Sequence, residues 1–362
     1  MRILNVVGAR PNLIKIAPLA DEMRRHPQVE PVLLHTGQHY DDNLSRVFFD
    51  ELGIPEPDIY LGVGSGTHAE QTARVMLAFD PVLCQQQPDL VLVVGDVNST
   101  VACTLTAVKR HIPVAHVEAG LRSFDRTMPE EVNRVVTDGL AEWLFTTERD
   151  AGENLLREGL PRDRIYFVGN VMIDTLLRHR ERALQMPVLE RFDVRPGDYV
   201  LVTLHRPRNV DDAPKLAAIV EALGQVRERL PVIFPVHPRT RKRLEDFGLL
   251  ARAMKLLGPG LCEPLGYLEF LHLMARARVV LTDSGGIQEE TTILGVPCVT
   301  LRPATERPVT VTVGTNRVIG SAPERVVPEI ERILAGDVPE GRVPDLWDGR
   351  AAERIVEVLV GR

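Results

Sequence analysis

Three acids stand where proton-transfer chemistry could be staged: Asp96, Glu118 and Glu130. Asp96 follows the apolar run 90–94 in Gly95-Asp96-Val97-Asn98-Ser99-Thr100. Glu118 closes a second run in His116-Val117-Glu118-Ala119-Gly120-Leu121-Arg122. Glu130 lies in the proline-led helix start Pro129-Glu130-Glu131-Val132-Asn133-Arg134, with Arg134 one turn below it. Acids at such places are also ordinary caps and helix-dipole partners, and Asp96 could itself cap the helix that follows. Drawn from neighbouring segments, with Arg10, Lys15 and Arg134 available, the three resemble an acid/base assembly whose like charges would raise some pKa values.

Other segments suit an anionic ligand. Gly8-Ala9-Arg10-Pro11-Asn12-Leu13-Ile14-Lys15 lacks the G-x-G-x-x-G dinucleotide pattern. It nevertheless brings two cations and free amides to a helix start, which suits a phosphate. The cluster Gly62-Val63-Gly64-Ser65-Gly66 looks like a cradle, yet Thr67-x-x-Glu70 after it reads better as a capping box behind a loop. In the second half, His205 and His237 end successive apolar runs. Asp283-Ser284-Gly285-Gly286-Ile287-Gln288-Glu289-Glu290 places amides at a helix N-terminus, fit for a pyrophosphate, and Glu290 one turn in to accept ribose hydroxyls.

Elements must hold these residues in place. Short runs rich in Val, Ile and Leu recur at 2–7, 32–35, 90–94, 112–117, 143–146 and 164–168, and again at 199–204, 232–236, 278–282, 296–301 and 316–319, with amphipathic stretches between. That alternation predicts α/β architecture with two doubly wound parallel sheets, the chemistry lying beyond their carboxyl ends. Residues 170–186 read as a helix, the domain boundary falls near 168–175, and 351–359 reads as a closing helix. A length of 362 residues fits two domains. The net charge of −7 argues against nucleic acid or an anionic membrane as partner. Four dispersed cysteines, without a CxxC pair or nearby histidines, indicate neither a zinc site nor a disulfide scaffold. No apolar stretch approaches the roughly 20 residues of a membrane span, and the start lacks a signal peptide's pattern, so a cytoplasmic location is expected.

With those residues placed, the chain resembles the non-hydrolysing UDP-N-acetylglucosamine 2-epimerases over essentially its whole length. The signatures are Gly8-Ala9-Arg10-Pro11 with Lys15, Gly95-Asp96, the 116–122 segment, Pro129-Glu130-Glu131 with Asn133-Arg134, His205-Arg206, Thr282 through Glu290, and Glu306-Arg307-Pro308. The resemblance implies a glycosyltransferase-B-like fold of two Rossmann-like domains facing a cleft. These would be 1–168 with the acid/base carboxylates, 169–349 with the UDP site, and a helix in 350–362 packing back on the first. It implies a homodimer, a UDP-sugar substrate, no cofactor or metal, and reversible conversion of UDP-GlcNAc to UDP-ManNAc for polysaccharide biosynthesis. Catalytic roles would fall on Asp96, Glu118, Glu130, Arg134 and His205. Substrate contacts would fall on Arg10, Lys15, His237, Ser284, Gly285, Gly286, Glu290 and Arg307, with Phe270 and the backbone of Leu265 around the uracil.

The chain also departs from the regulated bacterial members. Residues 40–45 lack their Arg-x-x-Leu-Asp-Gln pattern, which argues against activation by substrate. Epimerases of UDP-2,3-diacetamido-glucuronate share the His35-Thr36-Gly37-Gln38-His39 style of loop, whereas Glu306-Arg307-Pro308 favours the simpler sugar. A UDP-sugar glycosyltransferase and a non-catalytic UDP-sugar binder are the remaining alternatives.

Overall fold

The computed structural model describes residues 1–37, 51–54 and 56–361, so residues 40–45, on which the reading of substrate activation rests, lie outside it. The chain divides into two compact units, Met1–Arg178 with Asp345–Arg362, and His179–Pro344. Their limits fall at 178/179 and 344/345 rather than at 168/169 and 349/350, because helix Val171–Leu184 runs on past the expected boundary.

In the first unit the strands are β1 (Arg2–Val7), β2 (Glu30–His35), β3 (Ile59–Tyr60), β4 (Leu90–Val94), β5 (Val114–Val117), β6 (Trp143–Thr146) and β7 (Ile165–Phe167). All pairings are parallel, in the order β3-β2-β1-β4-β5-β6-β7. The continuous apolar run of β4 is buried at every position, as expected of a strand covered by helices on both faces. Val91 and Val93 pack with Val75, Phe79 and Leu83 of helix His68–Gln86 and with Ala102 and Cys103 of helix Asn98–Lys109. Thr67 caps the former in a reciprocal box with Glu70.

The C-terminal segment belongs to this unit. Trp347, fully buried, donates its indole N–H to the Thr147 carbonyl at 2.8 Å. Asp174 accepts the amides of Ala351 and Ala352 at 3.1 and 2.7 Å, capping helix Ala351–Val360. Burial pushes the Asp174 carboxyl up to about 6.

The second unit holds β8 (Val200–Thr203), β9 (Val232–Pro235), β10 (Leu261–Cys262), β11 (Val279–Thr282), β12 (Cys298–Thr300) and β13 (Asn316–Val318). They too are parallel, ordered β10-β9-β8-β11-β12-β13. Each sheet thus reverses its winding once, between β1 and β4 and between β8 and β11. Crevices at the carboxyl ends of such strands are where open α/β sheets bind ligands.

Candidate functional site

At the first reversal, the tips of β1, β4 and β5 converge. Lys15, one turn into helix Arg10–Arg24, forms a buried ion pair with Glu118. Glu118 adopts φ +73°, a left-handed conformation uncommon for a residue with a side chain. Asp96 takes the guanidinium of Arg134 at 2.5 Å, and its carbonyl accepts from Asn133 Nδ2 at 2.9 Å. Arg134 also binds Glu131, its i−3 neighbour, at 2.5 Å. Glu131 in turn accepts the amides of Ser123 and Phe124 at 2.9 and 2.8 Å. Burial opposes ionisation of Glu131, but those amides and Arg134 hold its carboxyl below the usual range. Glu130 is half-buried in the same first turn.

Cations therefore break up the like-charge cluster expected from the sequence, with Lys15 on Glu118 and Arg134 on Asp96. Two further expectations change. The amides of Gly8 and Ala9 are not free, since both donate to Asn12 Oδ1 at 3.1 and 3.0 Å. Asp96 does not cap the next helix: Val97 occupies that position, and the carboxylate turns to Arg134 instead. Arg10 opens helix Arg10–Arg24.

At the second reversal, β8 delivers His205 and β11 delivers Asp283. Asp283 is fully buried, accepts the amides of His205 and Arg206 at 3.0 and 2.9 Å, and takes Asn209 Nδ2 at 3.1 Å. The His205 ring stands 3.1 Å from its carboxylate through Nδ1. Burial would raise the Asp283 carboxyl, but these donors bring it below the usual range. His237, exposed at the start of helix Pro238–Asp246, lies beside His205 with ring centres 5.3 Å apart.

Next to Asp283, helix Gly285–Leu294 starts with the amides of Gly285 and Gly286, which have no acceptor within the helix. Ser284, expected to offer a third amide, spends it on Thr282 Oγ1 at 3.0 Å. Over this turn stands Arg307, held between Glu289 at 2.7 Å and Glu306 at 2.6 Å, while Arg302 binds the other oxygen of Glu306 at 2.7 Å. Burial works against ionisation of Glu306, but Arg307 and Arg302 hold its carboxyl far below the usual range. Glu290, also buried, accepts the Tyr267 hydroxyl at 2.9 Å. Burial, reinforced by the charge of Glu289, pushes its carboxyl up to about 8 against that bond. Leu265 lies two residues before helix Tyr267–Arg276, whose first turn carries the half-buried Phe270.

The sequence-derived residues thus assemble as two clusters, one at each reversal point: Lys15, Asp96, Glu118 and Arg134 in the first unit, and His205, His237, Ser284 to Gly286, Glu290 and Arg307 in the second. Sequence reasoning missed Glu131, Asn12, Asp283, Tyr267, Glu289, Glu306 and Arg302 as members of these clusters. Glu131 carried a usable signal, its i,i+3 spacing from Arg134. Tyr267 and Arg302 carried none, because their partners Glu290 and Glu306 are chosen by packing.

An α/β protein of two parallel sheets in Rossmann order, each with charged groups at its reversal point, belongs to the class that binds nucleotides and nucleotide-linked substrates. More specifically, the chain is a member of the UDP-N-acetylglucosamine 2-epimerase family, which it matches over residues 21–360. It is 43% identical to the UDP-N-acetylglucosamine 2-epimerase of Methanocaldococcus jannaschii, over 99% of each chain. A crystal structure of the M. jannaschii UDP-GlcNAc 2-epimerase in complex with UDP-GlcNAc and UDP superposes with TM-score 0.93, 42% identity and full coverage of both chains. The UDP-2,3-diacetamido-2,3-dideoxy-D-glucuronate 2-epimerase of Pseudomonas aeruginosa is 41% identical, again over 99% of each chain. Among the described residues no helix is long and apolar enough to cross a membrane.

Proposed function

We propose that the protein interconverts UDP-GlcNAc and UDP-ManNAc by inverting carbon 2 of the sugar. Direct deprotonation there is difficult, since no adjacent carbonyl can hold the negative charge. Elimination avoids the carbanion. A carboxylate among Asp96, Glu118 and Glu130 takes the proton from carbon 2 while the bond from carbon 1 to the phosphate oxygen breaks. The electron pair leaves with UDP, and a double bond forms between carbons 1 and 2, giving 2-acetamidoglucal. Re-addition of UDP to carbon 1, with protonation of carbon 2 from the opposite face, completes the inversion. Arg307 and the Gly285 and Gly286 amides suit the departing pyrophosphate, and Glu290 suits the ribose.

The observation that carries this reading is the pair of differently held carboxylates at adjacent strand tips, Glu118 buried against Lys15 and Asp96 partly exposed against Arg134. Inversion needs an acid/base group on each face of carbon 2, and carboxylates in different surroundings can divide that work. Positioned groups of this kind typically contribute about 10² to 10⁴ in rate. The same reading places the enzyme in the cytoplasm and makes it a homodimer. Support for a dimer comes from exposed Ala69, Ala73 and Leu77, which form an apolar strip at i,i+4 spacing on helix His68–Gln86; light scattering of the purified protein checks it.

The resemblance to the Pseudomonas enzyme favours a second reading, in which the sugar is the diacetamido-uronate. Incubation with each UDP-sugar separately, followed by proton NMR of the products, decides between them. The first reading expects UDP-ManNAc from UDP-GlcNAc and no turnover of the uronate. Turnover of the uronate alone would replace it.

A further inference from the structure

Behind the carboxylates lies a charge network that the mechanism above does not use. His116 on β5 and Asp138 on helix Pro129–Leu140 are both 0% exposed. His116 Nδ1 lies 2.6 Å from Asp138 Oδ1, and Nε2 lies 2.9 Å from the carbonyl oxygen of Gly95. A carbonyl oxygen has no proton to give, so Nε2 carries one. The second oxygen of Asp138 accepts from the Arg122 guanidinium at 2.7 Å and from the Gly120 amide at 3.0 Å, as an ionised carboxylate does. Burial works against that ionisation, and His116 and Arg122 outweigh it. An ionised oxygen 2.6 Å from Nδ1 requires a proton there too. Arg122 also forms two bonds to Glu158, at 2.7 and 2.6 Å. The network then closes as two cations, His116 and Arg122, against two anions, Asp138 and Glu158. Glu158, its side chain 35% exposed, is the solvent-facing end of this network, whereas His116, Asp138 and Arg122 are buried.

We propose that His116 is a buried imidazolium, protonated on both ring nitrogens, and that it is a positioning residue for the carboxylate-bearing segments. This rests on the reading of Asp96, Glu118 and Glu130 as the proton-transfer groups. The bond to the Gly95 carbonyl fixes the turn that presents Asp96. Gly95 has φ +68°, and a Cβ there would stand 2.9 Å from Lys15 Nζ and 3.4 Å from Glu118, so the turn is already tightly enclosed. Glu118 lies two residues beyond His116 on the same chain. Asp138 lies two helical turns beyond Glu130. A single ion pair therefore joins the three segments that carry the three acids. A displacement of about 1 Å in such groups costs on the order of 10²-fold in rate.

Two measurements test this. Histidine-selective 15N NMR of the wild-type protein at the assay pH, with the His116 signals assigned by their loss in His116→Gln, should find both ring nitrogens protonated. One unprotonated ring nitrogen would overturn the charge assignment. Gln at 116 retains a donor but cannot serve both Asp138 and Gly95. Well below its melting temperature, His116→Gln should lose on the order of 10²-fold in kcat, with KM and UDP affinity within about twofold. Asp138→Asn should do the same, and it serves as the second variant if the first does not fold. A lower melting temperature with wild-type kcat would mean that the network only stabilises, and the positioning role would be wrong. Wild-type protein that does not epimerise UDP-GlcNAc would instead remove the functional reading, while the NMR result would still decide the charge state.

Discussion

Lys15 Nζ is bonded to the carboxylate of Glu118, and both residues are almost wholly buried, at 6% and 3% exposure. Glu118 is at the same time one of six described non-glycine residues with positive φ. Holding a side chain in that region costs about 1–3 kcal/mol and persists only where the surroundings enforce it. Strand β5, the Ala119 amide bonded to the Phe145 carbonyl at 3.0 Å, and Lys15 together enforce it here. Backbone strain at the tip of a central strand is a common mark of a functional position.

The pair gives a separable prediction. Lys15→Met leaves a buried carboxylate without its cation and should cost about 3–5 kcal/mol of stability. Adding Glu118→Gln removes that charge and should restore most of the loss without restoring turnover. Urea unfolding of the two variants measures this. Equal instability of the single and double variants would show that Lys15 acts through packing alone.

Gly285→Val should abolish UDP binding. A Cβ at Gly285 would stand 2.5 Å from Arg307 Nη1 and 3.0 Å from Glu306 Oε1, so the substitution displaces the cation as well as covering the helix amides. Calorimetry with UDP, beside circular dichroism to confirm the fold, is the check. Unchanged affinity would remove the Gly285 turn from the nucleotide site.

Glu290 should make UDP binding pH-dependent. Its carboxyl, pushed up to about 8 chiefly by burial, is largely protonated at pH 7. A ribose hydroxyl donating to it favours the ionised form. Binding should therefore tighten as pH rises, by about tenfold from pH 7 to pH 9, a range above the phosphate's own second pKa of about 6. The free protein behaves oppositely. A carboxyl raised on folding contributes stability that is complete below the ordinary carboxylate range and is lost as pH rises through about 8. Glu290→Gln should flatten both curves. A wild-type UDP affinity that stays constant from pH 7 to pH 9 would contradict the ribose assignment.

Much of this was legible in the chain itself. Eleven apolar runs marked eleven of the described strands, because a strand covered on both faces has to be apolar throughout. The two-residue strands β3 and β10 escaped notice, since so short an edge element leaves no periodicity to read. The short helix Val188–Phe192 leaves little trace either, because its Met186-Pro187 and Arg195-Pro196-Gly197 flanks dominate the local pattern. At the sites, Asp96, Glu118 and Arg134 could be named from local motifs, and Arg307 only through the family resemblance. Their partners could not. That Arg134 serves Asp96, or that Asn12 consumes the Gly8 and Ala9 amides, is decided by a side chain's reach across the packed sheet edge.

The central claim is that first-unit carboxylates exchange the proton at carbon 2. It is tested most directly by incubating the protein with UDP-GlcNAc alone in heavy water and locating deuterium by NMR, for the wild type and for Asp96→Asn, Glu118→Gln and Glu130→Gln. The account expects the wild type to place deuterium on carbon 2 of both UDP-GlcNAc and UDP-ManNAc, and each variant to do so at least about 10²-fold more slowly with UDP affinity little changed. UDP-ManNAc formed without deuterium at carbon 2, or exchange at wild-type rate in all three variants, would contradict it.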